Sequence, residues 1–331
     1  MKVRIAPDAM EASHAFDHLD QILRAFLGER HRWEEGDPAR VEESAWARDG
    51  GRAGRRVLDA VQKLLGAQLY DGREENEATR MHALTLTVTL AAQPPAELSP
   101  PDAVKALEMP AFVIVENGES DRSFLDSMIR AFGRHALADA MRRGFWEIVH
   151  AGGGNEIPKR VAERVAQMGA GPRRVLILSD SDRLTPGEET KTVRQISRCA
   201  QDHGVIAILL SKREIENYLP YDALWDCSGR RERCGAFLQL TQGQRDHYDV
   251  KKGFGRDPET GETVVPDAQR MLFDGVRPKR VLDDLVGGFG DKVWSCFQST
   301  TIDEASIRAI CPGAPQEDEI PRMLDAIERL L

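Results

Sequence analysis

The apolar positions along the chain follow three successive rhythms. Over about residues 1–100, strand-like runs alternate with helix-like ones: KVRIA reads as a strand and AFDHLDQILRAFLG places apolar residues at helical spacing. GRRVLDAVQKLLGAQL repeats the helical period, and ALTLTVTLAA alternates as a half-buried strand does. This stretch is expected to form a small N-terminal α/β module. AAQPPAELSPPD then breaks the pattern, its prolines and lack of periodicity marking a linker or domain boundary.

From Pro110 to Leu210 the rhythm becomes regular. AFVIVE is a short apolar run ending in a carboxylate, followed by the helical SDRSFLDSMIRAFG with Phe124, Leu125, Met128, Ile129 and Phe132 on one face. WEIVHA is a second strand, and GGGN turns into the helix IPKRVAERVAQMG. RRVLILSDSD, EETKTVRQISRCAQDHG and VIAILL complete a strand–helix–strand unit. Apolar strands separated by single helices predict a mostly parallel four-stranded sheet covered on both faces, an α/β fold over residues 108–220.

Beyond Ser211 the pattern is helical and less regular, in YDALWDCSGRRERCGAFLQL, AQRMLFDGV, PKRVLDDLVGGFGDKVWSCF and IPRMLDAIERLL. Residues 221–331 are therefore expected to be a mainly helical C-terminal extension, with KKGFGRDPETGET an exposed loop.

Composition changes this picture little. No apolar run approaches the ~18 residues of a membrane helix, and the opening MKVRIAPDAMEASHAF lacks a signal peptide's apolar core, so a cytoplasmic protein is expected. The five cysteines are scattered without a CxxC pair, which argues against zinc and disulfides alike. A formal net charge of −9 argues against a protein that coats nucleic acid by bulk attraction, but not against an enzyme with local basic patches.

The chemistry is concentrated at strand ends, where open α/β sheets bind their ligands. Glu116 ends the first core strand, Asp180 and Asp182 end the third, and Glu214 and Glu216 follow the fourth. Converging carboxylates repel one another and raise each other's pKa unless a cation joins them. Hard divalent ions with oxygen ligands suit such a site, and one or two of them can polarise a phosphodiester.

The order of Glu at strand one, a glycine turn after strand two and DxD at strand three resembles the Toprim domain. Within that family, VENGESDRSFL and KREIENYLP are most similar to OLD-type and related antiphage nucleases. The resemblance covers roughly residues 110–220, about a third of the chain by its numbering. It implies a Mg²⁺- or Mn²⁺-dependent nuclease acting on DNA or RNA. Glu116 would be general base or bridging carboxylate, and Asp180 and Asp182 metal ligands. Asp121 would serve a second metal with Glu216, for which place Glu214 competes. Asn117 stands where the family often proceeds directly to glycine, which leaves the loop geometry open. Lys251 and Lys252 in DVKKGFG resemble a downstream basic segment, from which Lys252 is taken as the residue stabilising the transition state. Lys159, Arg160, Arg183, Lys212 and Arg213 are the candidate nucleic-acid contacts, and His150 ends the second strand facing the same crevice. OLD-type nucleases are often fused to or paired with an ABC-type ATPase. This sequence has no Walker A motif, so any ATPase is expected as a separate partner, with homodimerisation a further role for the flanking regions.

Each feature has a duller explanation. Glu116 favours a helix dipole, DSD serves as a capping turn, GGG makes a tight connection, and basic residues are usually solvated surface. Two other readings stay open. One is a non-catalytic Toprim module for DNA binding or assembly. The other is a haloacid-dehalogenase-like phosphatase, because DSDRLT imitates that family's nucleophile motif, although here it follows the third core strand and not the first.

Overall fold

A computed structural model describes residues 1–34, 38–48, 57–64, 84–313 and 316–331. Two parallel four-stranded sheets organise it. The N-terminal sheet contains β1 (Lys2–Ile5), β2 (Arg32–Trp33), β3 (Thr85–Val88) and β4 (Glu97–Leu98) in the order β2-β1-β3-β4. The core sheet contains β5 (Ala111–Val115), β6 (Trp146–His150), β7 (Val175–Ser179) and β8 (Ile206–Leu209) in the equivalent order β6-β5-β7-β8. All pairings within these two sheets, β5 with β6 and β7 and β7 with β8 among them, are parallel. The helix Phe16–Leu27 covers the N-terminal sheet through Leu19, Ile22, Leu23 and Phe26. The second N-terminal helix expected from GRRVLDAVQKLLGAQL is helical over residues 57–64, and its remainder lies outside the described residues.

The segment expected to be a linker is part of the first sheet. Glu97–Leu98 pairs with Thr87–Val88, and Ser99 then caps the helix Pro100–Glu108 by accepting the Asp102 amide. Pro100 and Pro101, two of the four prolines that resembled a break, occupy the first helical turn, where a missing N–H costs nothing because that donor has no intrahelical partner. The helix buries Ala103, Val104 and Leu107 against the N-terminal cluster.

In the core sheet every residue of β5 and β7 is buried, because helices cover both faces. The period-two rule sorts them: Val113, Val115, Leu176 and Leu178 enter one apolar cluster, while Phe112, Ile114, Val175 and Ile177 enter another with helices Ile157–Gln167 and Lys191–His203. Strand β8 is equally apolar in sequence, yet Ile206 is exposed and Ala207, Ile208 and Leu209 are half-buried, because it forms the sheet edge. A further helix, His135–Arg142, precedes β6 and buries Leu137 and Ala140.

The first of these clusters does not stop at the sheet. It runs from Val113 and Phe124 through Tyr218, Phe237, Tyr248 and Phe297 to Leu324 and Leu330. The C-terminal helices thus form the layer covering one face of the core sheet. KKGFGRDPETGET is only partly a loop: Phe254 is buried, and Gly255–Arg256 pairs antiparallel with Thr263–Val264. Among the described residues no helix is long and apolar enough to cross a membrane.

Candidate metal centre

Glu116 leaves β5 and meets the glycine turn that follows β6. Gly152 and Gly153, at φ 85° and 130°, adopt backbone that other residues rarely tolerate. Their amides approach the Glu116 carbonyl at 3.2 and 3.3 Å. The Gly154 amide supports the Glu116 carboxylate, and a Cβ at Gly154 would stand 3.3 Å from Oε2. The GGG turn is therefore a cradle for Glu116. Asp121, in the first turn of helix Ser120–Ala131, is buried and accepts the Asn117 amide at 2.8 Å and the Ser120 hydroxyl at 3.2 Å. Asn117, where the sequence departs from the Toprim pattern it resembles, thus fixes the Asp121 carboxylate through its backbone.

The residues after β7 pair with those after β8. Asp180 Oδ1 accepts the Ile215 amide at 2.9 Å, the Ser181 hydroxyl donates to the Lys212 carbonyl at 2.8 Å, and the Asp182 amide donates to the Arg213 carbonyl at 3.0 Å. Asp182 takes a left-handed backbone at φ 54°, and its exposed side chain accepts the Thr192 hydroxyl at 2.7 Å. Glu214 and Glu216 both turn inward, at 7% and 1% exposure. Glu214 heads a capped turn closed by Asn217, whose Oδ1 accepts the Glu214 amide at 2.9 Å. Glu216 Oε1 is buried with no hydrogen-bond partner.

Lys251 lies among these carboxylates. Its Nζ is 3.3 Å from Glu216 Oε2 and 3.6 Å from Glu214 Oε2. Lys252, the expected transition-state lysine, is exposed, and only its backbone is anchored, through the Asp249 carboxylate. The two lysines sit in a turn closed by the Gly253 amide on the Asp249 carbonyl, one half-buried and the other exposed, so sequence alone cannot select between them. Asn117, Gly118, Ser120, Glu216, Lys251 and Trp294 line a cleft of about 370 Å³. Trp294 and the nearby Asp291 come from the C-terminal layer, and neither was signalled by any motif.

The basic candidates separate clearly. Lys212 is buried: Nζ donates to the carbonyls of Asn217 (3.1 Å) and Ile310 (2.7 Å) and pairs with Asp246 at 3.0 Å. It is a structural cation, a correction to its expected role at a nucleic-acid surface. Arg213 is held by Asp249 at 2.8 Å and lies 3.6 Å from Glu214. Arg160 pairs with Glu163 along its own helix at 2.8 Å, and Arg183 donates through Nε to the Glu188 carbonyl. Lys159 is exposed beside the glycine turn, and exposed His150 packs against Gly118. Sequence reasoning missed Glu319, whose carboxylate accepts the Ser211 amide and hydroxyl, both at 2.7 Å, and the Tyr218 hydroxyl. It clamps the segment carrying Glu214 and Glu216 from more than 100 residues away, a separation that leaves no local signal.

The electrostatics record the crowding. Burial, reinforced by Asp182, raises the Glu116 pKa. Burial raises Asp121 to about 6, with Glu116 and Glu216 adding to it. Burial pushes Asp180 well above the usual carboxylate range, with Asp121, Glu216 and Glu214 contributing. Burial also takes Glu214 up to about 7 despite Lys251. Burial alone would lower Lys251, but Glu214, Glu216 and Asp180 outweigh it and keep the ammonium charged.

Among the described residues no group of three or more His, Cys, Asp or Glu side chains stands ready to hold a metal ion. Local donors explain the spacing: Asp180, Asp121, Asp182 and Glu116 rest respectively on Ile215, Asn117, Thr192 and Gly154. The donor chemistry nevertheless suits a hard divalent ion, because the carboxylates share one field and Glu216 presents a buried oxygen with nothing to bind.

These shifts fix a pH dependence. A carboxyl whose pKa is higher folded than unfolded binds its proton more tightly in the folded protein. Its stabilising contribution is complete below about pH 4, the unfolded value, and disappears as pH rises through the folded one. With Asp121 near 6 and Glu214 near 7, EDTA-treated protein is expected to lose on the order of a few kcal/mol between pH 4.5 and 7.5. Urea unfolding across that range measures it, and stability rising with pH would contradict the assignment.

Comparison with protein-family models, with curated proteins and with solved structures finds no match for this chain.

Proposed function

We propose that this chain is a divalent-metal-dependent nuclease with a Toprim-like site that hydrolyses DNA or RNA phosphodiesters. The observation that carries the reading is the gathering of carboxylates from separate strand ends around Glu216, whose Oε1 is buried without a partner. A structural turn has no reason to bury that oxygen, since an unpaired polar group costs about 1–3 kcal/mol, and more when charged. Mg²⁺ or Mn²⁺ would be held by Glu116, Asp180 and Glu216 with Asp121 or Asp182 completing the set, and when bound would polarise the phosphodiester.

The chain's own groups have distinct tasks. Glu116, supported by Gly154 and with a raised pKa, accepts a proton at its carboxylate from an attacking water. Lys251 places an ammonium where negative charge develops. Arg213 orients Glu214, and Lys159 and Arg183 at the rim contact backbone phosphates. By the same resemblance to OLD-type proteins, the biological setting is defence against phage with a separate ABC-type ATPase. The N-terminal module would then engage that partner or a second copy.

One observation favours a second reading, a module that binds nucleic acid without cutting it: the carboxylates are already partly neutralised by Lys251. Incubating the protein with supercoiled plasmid, single-stranded RNA and a small phosphomonoester separates the possibilities. Cutting of either polymer with Mn²⁺ or Mg²⁺ that stops in EDTA supports the nuclease, with Asp180→Ala as the contamination control. Binding without cutting supports the second reading, and phosphate release from the monoester alone would make the protein a phosphatase.

A further inference from the structure

We propose that Trp294 is a stacking platform for an unpaired base, so that the polymer taken by this site is single-stranded nucleic acid and not intact duplex. This rests on the nuclease reading above and names its substrate class. The other four tryptophans are engaged within the protein. Trp33 stacks on Phe26 at 5.5 Å between ring centres, and Trp46 donates its indole N–H to Asp20 at 2.9 Å. Trp146 donates to the Leu137 carbonyl at 3.0 Å, and Trp225 packs on Tyr221 beneath the Arg231 guanidinium. Among the described residues Trp294 alone of the five has neither a ring partner nor an indole hydrogen bond. It leans on the apolar cluster, stays half-buried, and lines the cleft together with Glu216 and Lys251.

The ring is rigidly mounted. It stands on the short helix Val293–Gln298, whose Val293, Cys296 and Phe297 are buried. Phe297 meets Phe124 edge-on at 5.4 Å, and Arg130 donates to the carbonyls of Phe297 (3.2 Å) and Ser299 (2.7 Å). On the other side the Val293 amide donates to the Gly290 carbonyl at 3.1 Å, and the Gly290 amide to the Lys251 carbonyl at 2.9 Å. Indole and ammonium therefore share one frame, and a platform already in place costs little ordering when a base arrives. The rest of the cleft suits a base better than a phosphate. Exposed Glu119 and Asp291 line it, and carboxylates repel phosphate but accept hydrogen bonds from exocyclic amines of bases. Exposed Asn117 adds an amide of the kind that pairs with adenine. At about 370 Å³ the cleft has room for one nucleotide and not for a double helix. Within a duplex a base is already stacked and paired, so only an unpaired one reaches Trp294.

Fluorescence anisotropy on the full-length protein tests this with one sequence offered as single-stranded DNA, single-stranded RNA, duplex DNA and a single strand lacking its bases. Salt is held constant, and each titration is run in EDTA and in Ca²⁺. Wild type is expected to bind single strands roughly 10-fold or more tighter than the duplex or the baseless strand. Trp294→Ala should lose that preference, whereas Trp294→Phe, which keeps an aromatic face, should retain most of it. The tighter of the two single strands identifies DNA or RNA as the source. Duplex or baseless strand bound by wild type as tightly as single strands would overturn the inference, with no variant needed. A folded Trp294→Ala with undiminished preference, or no binding of any strand, would overturn it too. Cleavage with Mn²⁺ or Mg²⁺ is followed separately. Duplex cut as fast as single strand would overturn the inference and keep the nuclease reading. Single strands bound through Trp294 but never cut would remove the nuclease reading and leave the stacking platform in place.

Discussion

Glu216→Gln is expected to make the protein more stable and, on the nuclease reading proposed above, to slow cleavage at least ~10²-fold. The carboxylate is buried at 1% exposure, its Oε1 lacks a partner, and Asp121 and Asp180 share its field. Replacing the carboxylate by an amide removes its repulsion with Asp121 and Asp180, so stability should rise by on the order of 1 kcal/mol even though the amide inherits the same unpartnered position. Lys251 keeps Glu214 as its counter-ion, so the substitution does not strand a charge. The rate should fall because organised charge at a phosphoryl site is worth several kcal/mol, with each 1.4 kcal/mol equal to a factor of ten. Urea unfolding and cleavage kinetics on one preparation give both signs. A variant that is less stable and equally active would show that Glu216 is ordinary packing.

Lys212→Met is expected to cost about 3–5 kcal/mol of folding stability, the range for removing one partner of a buried ion pair. The ammonium answers Asp246 and the carbonyls of Asn217 and Ile310, and lies 4.9 Å from the centre of the Tyr218 ring. Methionine fills the space and leaves Asp246, itself 4% exposed, with only side-chain amide donors. Adding Asp246→Asn should restore a substantial part of the loss, because the uncompensated charge is then gone. If Lys212 served nucleic acid, the variant would bind more weakly with its unfolding curve unchanged.

The core sheet was legible because its signals are local. β5, β6, β7 and β8 fall on the four apolar runs, and the acids end the strands where the period places them. The prolines of LSPPD misled because the same residues that interrupt a pattern also begin a helix, and only the Ser99 cap distinguishes the two. Burial of Lys212 was invisible because its partners are Ile310 and Asp246, far along the chain. The choice of Lys251 over Lys252 likewise depends on where the segment 285–290 bolts the backbone. Spacing placed both Glu214 and Glu216 near the crevice, but their different surroundings come from Arg213, Asp249 and Lys251 together.

The shared cluster joining the core sheet to the C-terminal helices has a practical meaning for anyone dissecting this protein. A fragment cut near residue 220 would turn Val113, Val115, Phe124, Met128 and Tyr218 toward water at once, and would strip away both Lys251 and Glu319. The chemistry is not a cartridge that can be lifted out and spliced elsewhere. Transplanting it requires carrying along the scaffold that its own sheet leans upon.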